Sequence, residues 1–202
     1  MRRLIPAILL LNIFAVTVVW SQQDTEPTQP VPNTEELQLL TLIRNHDLQT
    51  DDPDKVAQAI ESLGNKKCVV AIDDLIPLLS FSRIYSWEKA NSGIQVHPVT
   101  VDDRYPAVGD LAQIGKPSVP ALLKVIGNND SSELVLKNAA AALMLIYRDN
   151  PIEGLKLLRE SAEHSKTVES AQRLRKAGKE ALQWCLPSER AQCEAALNNT
   201  GK

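Results

Sequence analysis

The sequence predicts an all-α protein in which short helices stack as antiparallel pairs and form a short α-solenoid. Apolar residues recur at helical spacing in segments of roughly ten residues, which are too short to be stable alone. Pro or Gly stands at the boundary of most of these segments, where such residues start and stop helices. Aromatic residues make up only 4% of the chain, which favours close helix packing over a β-sandwich.

The length and the net charge of the chain limit the number of domains and the kinds of partner that it could bind. The chain has 202 residues, of which 44% are hydrophobic, enough for one domain with a core. Its 22 basic and 25 acidic residues give a formal net charge of −3. This mildly acidic balance supplies no basic surface that would displace counterions from a nucleic acid, so no nucleic-acid partner is expected.

The N-terminus is typical of an export signal, because an apolar run follows residues 1–3, which carry two arginines. Val19 and Ser21 satisfy the small-residue rule, which predicts cleavage after Ser21 and a signal peptide over residues 1–21. The predicted location is therefore the periplasm or the medium of a bacterial cell. The alternative is an uncleaved membrane anchor, because the apolar run of residues 4–20 is at the short limit for spanning a bilayer.

A disordered linker and then the helical domain are predicted to follow. Residues 22–32, QQDTEPTQPVP, are polar and proline-rich, and the linker is expected to span residues 22–33. The domain is expected over residues 34–202. Asn33 and Glu36 match a capping box for its first helix.

The next helix pair is predicted between two turns. Asp52-Pro53 is expected to open a helix that Gly64 ends. A returning helix is expected to turn four apolar residues inward, namely Val69, Ile72, Ile76 and Leu79. Pro77 either kinks this returning helix or moves its start to near Asp73.

Residues 105–129 carry the clearest pattern, a short helix, a sharp corner and a second short helix folded back on the first. Pro106 suits a first helical position, and Asp102 and Asp103 are the expected caps. Gly115 is expected to adopt the backbone conformation that ends the first helix. Ser118 is predicted to cap the second helix.

The sequence pattern of residues 106–127, with I-G-K-P-S-V-P-A-L-L at its centre, resembles HEAT-like repeats, in particular the short variety named after the phycobilisome lyases. The resemblance is specific over these residues and weaker in the flanking units. It implies an armadillo-like α-solenoid of the kind that usually binds other proteins. It also implies, through the lyases, an enzymatic alternative.

Three further helix starts are predicted towards the C-terminus. Asp130 with Glu133 is expected to cap a longer helix, whose alanines at 139–142 permit the close approach of a neighbour. Asn150-Pro151 repeats the combination of cap and proline. Another helix is predicted over residues 167–185, and Pro187-Ser188 is expected to begin the last one.

An insertion at about residues 82–101 interrupts the repeat pattern and is predicted to form a small β-hairpin around the turn residues 90–93. Insertions in solenoids cluster on one face, which is often the binding face. The candidate protein-binding residues are therefore its aromatic side chains and the nearest one beyond it, Tyr85, Trp87, His97 and Tyr105. The alternative is that these side chains merely pack over an edge of the helices.

The cysteines allow two interpretations. Cys185 and Cys193 are expected at the facing ends of a helical hairpin, where an exported protein would allow a disulfide. Two buried free thiols are the alternative. Cys68 is left over and is either a reactive thiol or a buried small side chain.

No catalytic or metal-binding motif is recognisable, and no cofactor is expected. The sequence therefore predicts a non-enzymatic exported binding or scaffold module that holds a protein or peptide in the cell envelope. One alternative is a lyase or chaperone-like enzyme, for which Cys68 is the candidate nucleophile. The other is a membrane-tethered structural spacer, if the N-terminal segment is retained.

Overall fold

The computed structural model describes residues 31–46, 52–83 and 100–198, and this part of the chain is all-helical. The predicted signal peptide, most of the predicted linker and the greater part of the predicted hairpin lie outside the described residues. The described helices are α1 (Thr34–Arg44), α2 (Pro53–Asn65), α3 (Ile72–Leu75), α4 (Val101–Arg104), α5 (Pro106–Ile114), α6 (Val119–Gly127), α7 (Glu133–Ile146), α8 (Pro151–Glu163), α9 (Val168–Ala181) and α10 (Arg190–Asn198).

The first two helices begin where the sequence predicts. The Asn33 N–H donates to Glu36 Oε2 at 2.8 Å, and the Glu36 N–H donates to Asn33 Oδ1 at 2.9 Å, which confirms the capping box of α1. At α2, Asp52 accepts a 3.0 Å hydrogen bond from the Asp54 N–H. Pro53 is the first residue of α2, so this predicted start is also confirmed.

The predicted end of α2 is wrong, because Gly64 lies inside the helix and faces α5. A Cβ atom at Gly64 would overlap the carboxyl group of Asp110, so the glycine allows the two helices to approach closely. The chain leaves the helical conformation at Lys67, whose φ is 52°.

The predicted returning helix is broken into three short pieces. A 3₁₀ turn (Val69–Ala71) leads into the single turn of α3, and a second 3₁₀ turn (Ile76–Ser80) follows. Pro77 lies in the second turn, and its ring nitrogen has no N–H to donate to the preceding α-helical turn. Pro77 therefore interrupts the helix instead of only bending it.

Both helices of the central segment form, but their predicted caps are wrong. Gly115 has φ 85° and ends α5 as expected. Asp103 instead forms a capping box with Thr100 for the one-turn helix α4. Ser118 belongs to a 3₁₀ turn and has helical dihedrals, φ −77° and ψ −19°, whereas a cap requires an extended backbone.

Later helix starts are shifted by two or three residues at two positions. Ser132, and not Asp130, accepts the capping hydrogen bond of α7, at 3.3 Å from the Val135 N–H. The helix predicted from residue 167 begins at Val168, and Thr167 is its cap. The last helix begins at Arg190 and not at Pro187, because a turn occupies the residues between them.

The helices pack around one continuous core that runs from α1 to α10. Among the described elements the most extensive interfaces are α2 with α5, α8 with α9, and α6 with α7. The two helices of the central segment make their main contacts with other helices, α5 with α2 and α7, and α6 with α7 and α9. α5 and α6 share no extensive interface with each other, so each is covered mainly by other helices.

The two ends of the insertion are tied together at its base. The backbone N–H of Arg83 donates to the carbonyl oxygen of Arg104 at 3.0 Å. The Arg83 guanidinium also reaches α2, where it lies 3.1 Å from Asp54 and 2.9 Å from Glu61. The described helices thus fix where the insertion leaves the domain and where it returns.

Candidate functional site

A groove of about 760 Å³ opens between α7 and α9. Val101 of α4 lines it on one side, and the 3₁₀ turn Leu182–Trp184 lines it on another. Val101 is the last residue of the predicted insertion and the first of α4, so the groove lies where the chain returns to the helical domain.

The floor of the groove is made of small side chains from α7. Ala140 and Ala141 line it, and Ala139 and Ala142 on the same helix are fully buried in the core. The alanine run therefore has two roles, since half of it packs against neighbouring helices and half leaves room for a side chain from outside.

Asn138 fixes this floor to the base of the insertion. Its side chain is buried, and its Nδ2 donates to the carbonyl oxygen of Leu79 at 2.6 Å. A buried amide–carbonyl hydrogen bond is costly to lose, because the remaining partner cannot be solvated. The bond therefore holds α7 against the 3₁₀ turn Ile76–Ser80.

Two large apolar side chains on the groove are exposed to solvent. Leu134 on α7 is 39% exposed and Trp184 beyond α9 is 36% exposed. Aromatic side chains beside a concave apolar surface are typical anchors of protein interfaces. Leu134 and Trp184 therefore make this groove the candidate protein-binding site of the described residues.

One ion pair bridges the two helices along the groove, and two further pairs lie within them. Lys176 of α9 lies 2.7 Å from Glu133 of α7, and weaker pairs join Glu133 to Lys137 and Lys176 to Glu180. The hydrogen bond from Lys176 lowers the pKa of Glu133 and raises that of the lysine itself. Because these groups are exposed, their ion pairs contribute little to the stability of the fold. Two of the charged residues, Lys137 and Glu180, line the groove.

Trp184 is held in place by its connection to α10. A disulfide joins Cys185, the next residue, to Cys193 of α10. The Arg190 guanidinium also donates to the carbonyl oxygen of Leu182 at 2.8 Å. The turn that carries the exposed tryptophan is thus attached to the last helix at two points.

Three of the predicted binding residues, Tyr85, Trp87 and His97, lie outside the described residues. The fourth, Tyr105, is half-buried between α4 and α5, where it packs against the core. Tyr105 does not line the groove. Sequence reasoning missed Trp184 and Leu134, because their proximity depends on how α7 and α9 pack.

Cys68 is buried and unpaired. Burial is the main cause that raises the pKa of its thiol. A buried thiol that keeps its proton is a poor nucleophile.

Asp110 is a buried carboxylic acid that the sequence analysis did not single out. It lies on the buried face of α5, and its Oδ2 has no hydrogen-bond partner among the described residues. Burial, and then the negative charge of Glu61, raise its pKa to about 7. Its position three residues after Ala107 and one before Leu111, both fully buried, was the available signal.

No group of three or more potential ligands that could hold a metal ion occurs within residues 31–46, 52–83 and 100–198. Over the same ranges, none of the helices is long and apolar enough to cross a membrane.

Comparisons of the chain with family models, with curated proteins and with solved structures give no match. The HEAT-like resemblance of residues 106–127 therefore stays a prediction.

Proposed function

We propose that the protein is a non-enzymatic binding or scaffold module whose helix pairs stack as a short HEAT-like α-solenoid. In this proposal the groove between α7 and α9 holds a peptide segment of a partner protein. The observation that carries the proposal is the exposure of Trp184 and Leu134 beside an alanine floor. Exposed apolar side chains that converge on a concave surface are the usual mark of a protein-binding site.

The polar lining suits an extended peptide. Gln183 lines the groove, and a glutamine amide can both donate and accept hydrogen bonds, as a peptide backbone requires. Ala140 and Ala141 leave space for one side chain of the peptide. Lys137 and Glu180 add charges of opposite sign, which would favour one direction of the bound chain.

The predicted β-hairpin over residues 82–101 remains part of the proposal as a second contact with the partner. It would bring Tyr85, Trp87 and His97, with Tyr105 near its base. The position of Val101 on the groove supports a shared binding face.

Export to the cell envelope also remains a proposal. The disulfide between Cys185 and Cys193 supports it, because such bonds persist in oxidising compartments. The burial of Cys68 argues against the lyase alternative, which needs an accessible nucleophile.

Site-specific photo-crosslinking tests the binding proposal. A photoreactive phenylalanine analogue is placed at Leu134 in the groove, or at Val168, an equally apolar residue that is 66% exposed outside the groove. Each variant is irradiated in an envelope extract of the source cells. We expect one discrete protein adduct from position 134 and none from position 168. The same adducts from both positions, or none from position 134, would contradict the proposal.

A further inference from the structure

Helix α9 presents two basic side chains beside the groove. Arg175 and Lys179 are exposed and lie four residues apart, so they share one side of the helix. The same spacing leads on to Gln183, which lines the groove. Within the described ranges, neither Arg175 nor Lys179 has an ion-pair partner. Glu180, the acidic residue of α9 that lines the groove, already lies 3.9 Å from Lys176, so Arg175 and Lys179 leave this side of the groove with an excess of positive charge.

The chain itself contains a segment of complementary chemistry. Residues 22–32, QQDTEPTQPVP, include Asp24 and Glu26 and no basic residue. Pro27 and Pro30 have the P-x-x-P spacing. Proline-rich segments favour the extended polyproline II conformation, and they dock on aromatic-lined grooves with little loss of conformational entropy.

We propose that the groove and the α9 basic pair, Arg175 and Lys179, bind residues 22–32 of a second copy of this chain. The inference rests on the proposed function, since it uses the same groove. Trp184 packs against the prolines in this arrangement. The acidic residues of the segment face the α9 basic pair. The Gln183 amide donates to backbone carbonyl oxygens of the segment, which have no hydrogen-bond partner within a proline-rich extended chain.

The length of the chain favours a second copy over the same copy. Pro27 lies four positions before Val31, where the described structure begins, and these four steps span at most about 14 Å. α1 packs on α2 and α3, whereas α9 is reached through the successive interfaces of α2, α5 and α7. Because α1 shares no extensive interface with α7 or α9, other helices lie between the described start of the chain and the groove, which favours a second copy over the same one.

Self-association of residues 22–202, which retain every described helix, tests the inference. We expect sedimentation velocity to show a concentration-dependent dimer. Trp184→Ala should weaken self-association at least about tenfold, as should Pro27→Ala combined with Pro30→Ala. Lys156→Glu, an exposed change on α8, is the control and should leave the dimer unchanged.

A charge exchange makes the test specific. Arg175→Glu with Lys179→Glu should weaken the dimer, and Asp24→Lys with Glu26→Lys should do the same. Mixing these two double variants should restore association, since each charge then meets its opposite. Circular dichroism melts check that every variant is folded.

Two results would overturn the inference. One is a chain that stays monomeric at all concentrations, and the other is a dimer that the segment variants do not weaken. If the crosslink from position 134 to another protein persists in a monomeric chain, this inference fails while the proposed function stands. If that crosslink is absent and the dimer depends on neither Trp184 nor the segment, both fail.

Discussion

The carboxyl group of Asp110 on α5 lies against the backbone of Gly64 on α2, so closely that even a methyl group at Gly64 would overlap it. This contact belongs to one of the most extensive helix interfaces of the described structure. It places an ionisable group in an environment that offers its Oδ2 no hydrogen-bond partner among the described residues.

Gly64→Ala should destabilise the protein. The new methyl group forces α2 and α5 apart or displaces the Asp110 side chain, and such overpacking costs about 1–3 kcal/mol of unfolding free energy. Urea denaturation followed by circular dichroism measures the change. Gly109→Ala is the matched control, because a Cβ atom there lies 3.2 Å from the Cβ of Asp102 and needs only a small adjustment. Equal effects at the two glycines would contradict the packing argument.

Asp110→Asn should stabilise the protein above neutral pH. The pKa of Asp110 is about 7 in the folded protein and 3.8 without the fold, so the native state binds the proton more tightly. Its contribution is therefore fully present below about pH 4 and is lost as the pH rises through 7. We expect the variant to gain on the order of 2–4 kcal/mol over the wild type near pH 8, and clearly less near pH 5.

Urea denaturation at both pH values measures the unfolding free energies of the variant and the wild type. Subtracting one from the other at each pH removes the contributions of the other titrating groups. Asp102→Asn, at a half-buried position on α4, serves as the control. A constant difference between wild type and Asp110→Asn across the range would show that Asp110 does not titrate as its surroundings imply.

Replacing both Cys185 and Cys193 by serine should lower the unfolding free energy by about 2–3 kcal/mol, because the unfolded chain is no longer constrained. A dithiol reductant should destabilise the wild type by a similar amount and leave the double variant unaffected. The readout is urea denaturation with and without reductant. A wild type that ignores the reductant would rule out a stabilising disulfide.

The thiol of Cys68 should react slowly in the native protein. Only 5% of the residue is exposed, and burial keeps its pKa raised, so labelling must await local or global opening. Labelling by a coloured disulfide reagent in the oxidised protein reports this thiol alone. We expect the rate to rise steeply when urea is added. Rapid labelling without urea would reopen the lyase alternative.

Some helix starts were predictable from the sequence, and others are shifted to a neighbouring capping residue. Asn33 caps the helix that the sequence assigns to it, although Thr34 stands beside it. Asp130 has a competitor two residues later, and Ser132 takes the cap. The choice between neighbouring candidates depends on the direction in which the helix packs, which local pattern does not specify.

The groove could not be predicted, because it is formed by residues far apart in sequence. Leu134 and Trp184 face the same space only after α9 has packed beside α7. Gly64 was misassigned for a related reason, since a glycine that ends a helix and one that admits a neighbouring side chain have the same local pattern. Asp110 did leave a signal, an acid among the buried positions of α5.

The hydrogen bond between the Arg83 N–H and the Arg104 carbonyl closes the insertion at its base. Because the two ends of the segment are held together, a longer segment would add little to the entropy cost of closing the loop and would not strain the helices beneath it. Related chains could accordingly lose, extend or exchange these residues while the remainder keeps its shape. For protein engineering, the clasp marks a natural graft point at which foreign recognition loops are best introduced.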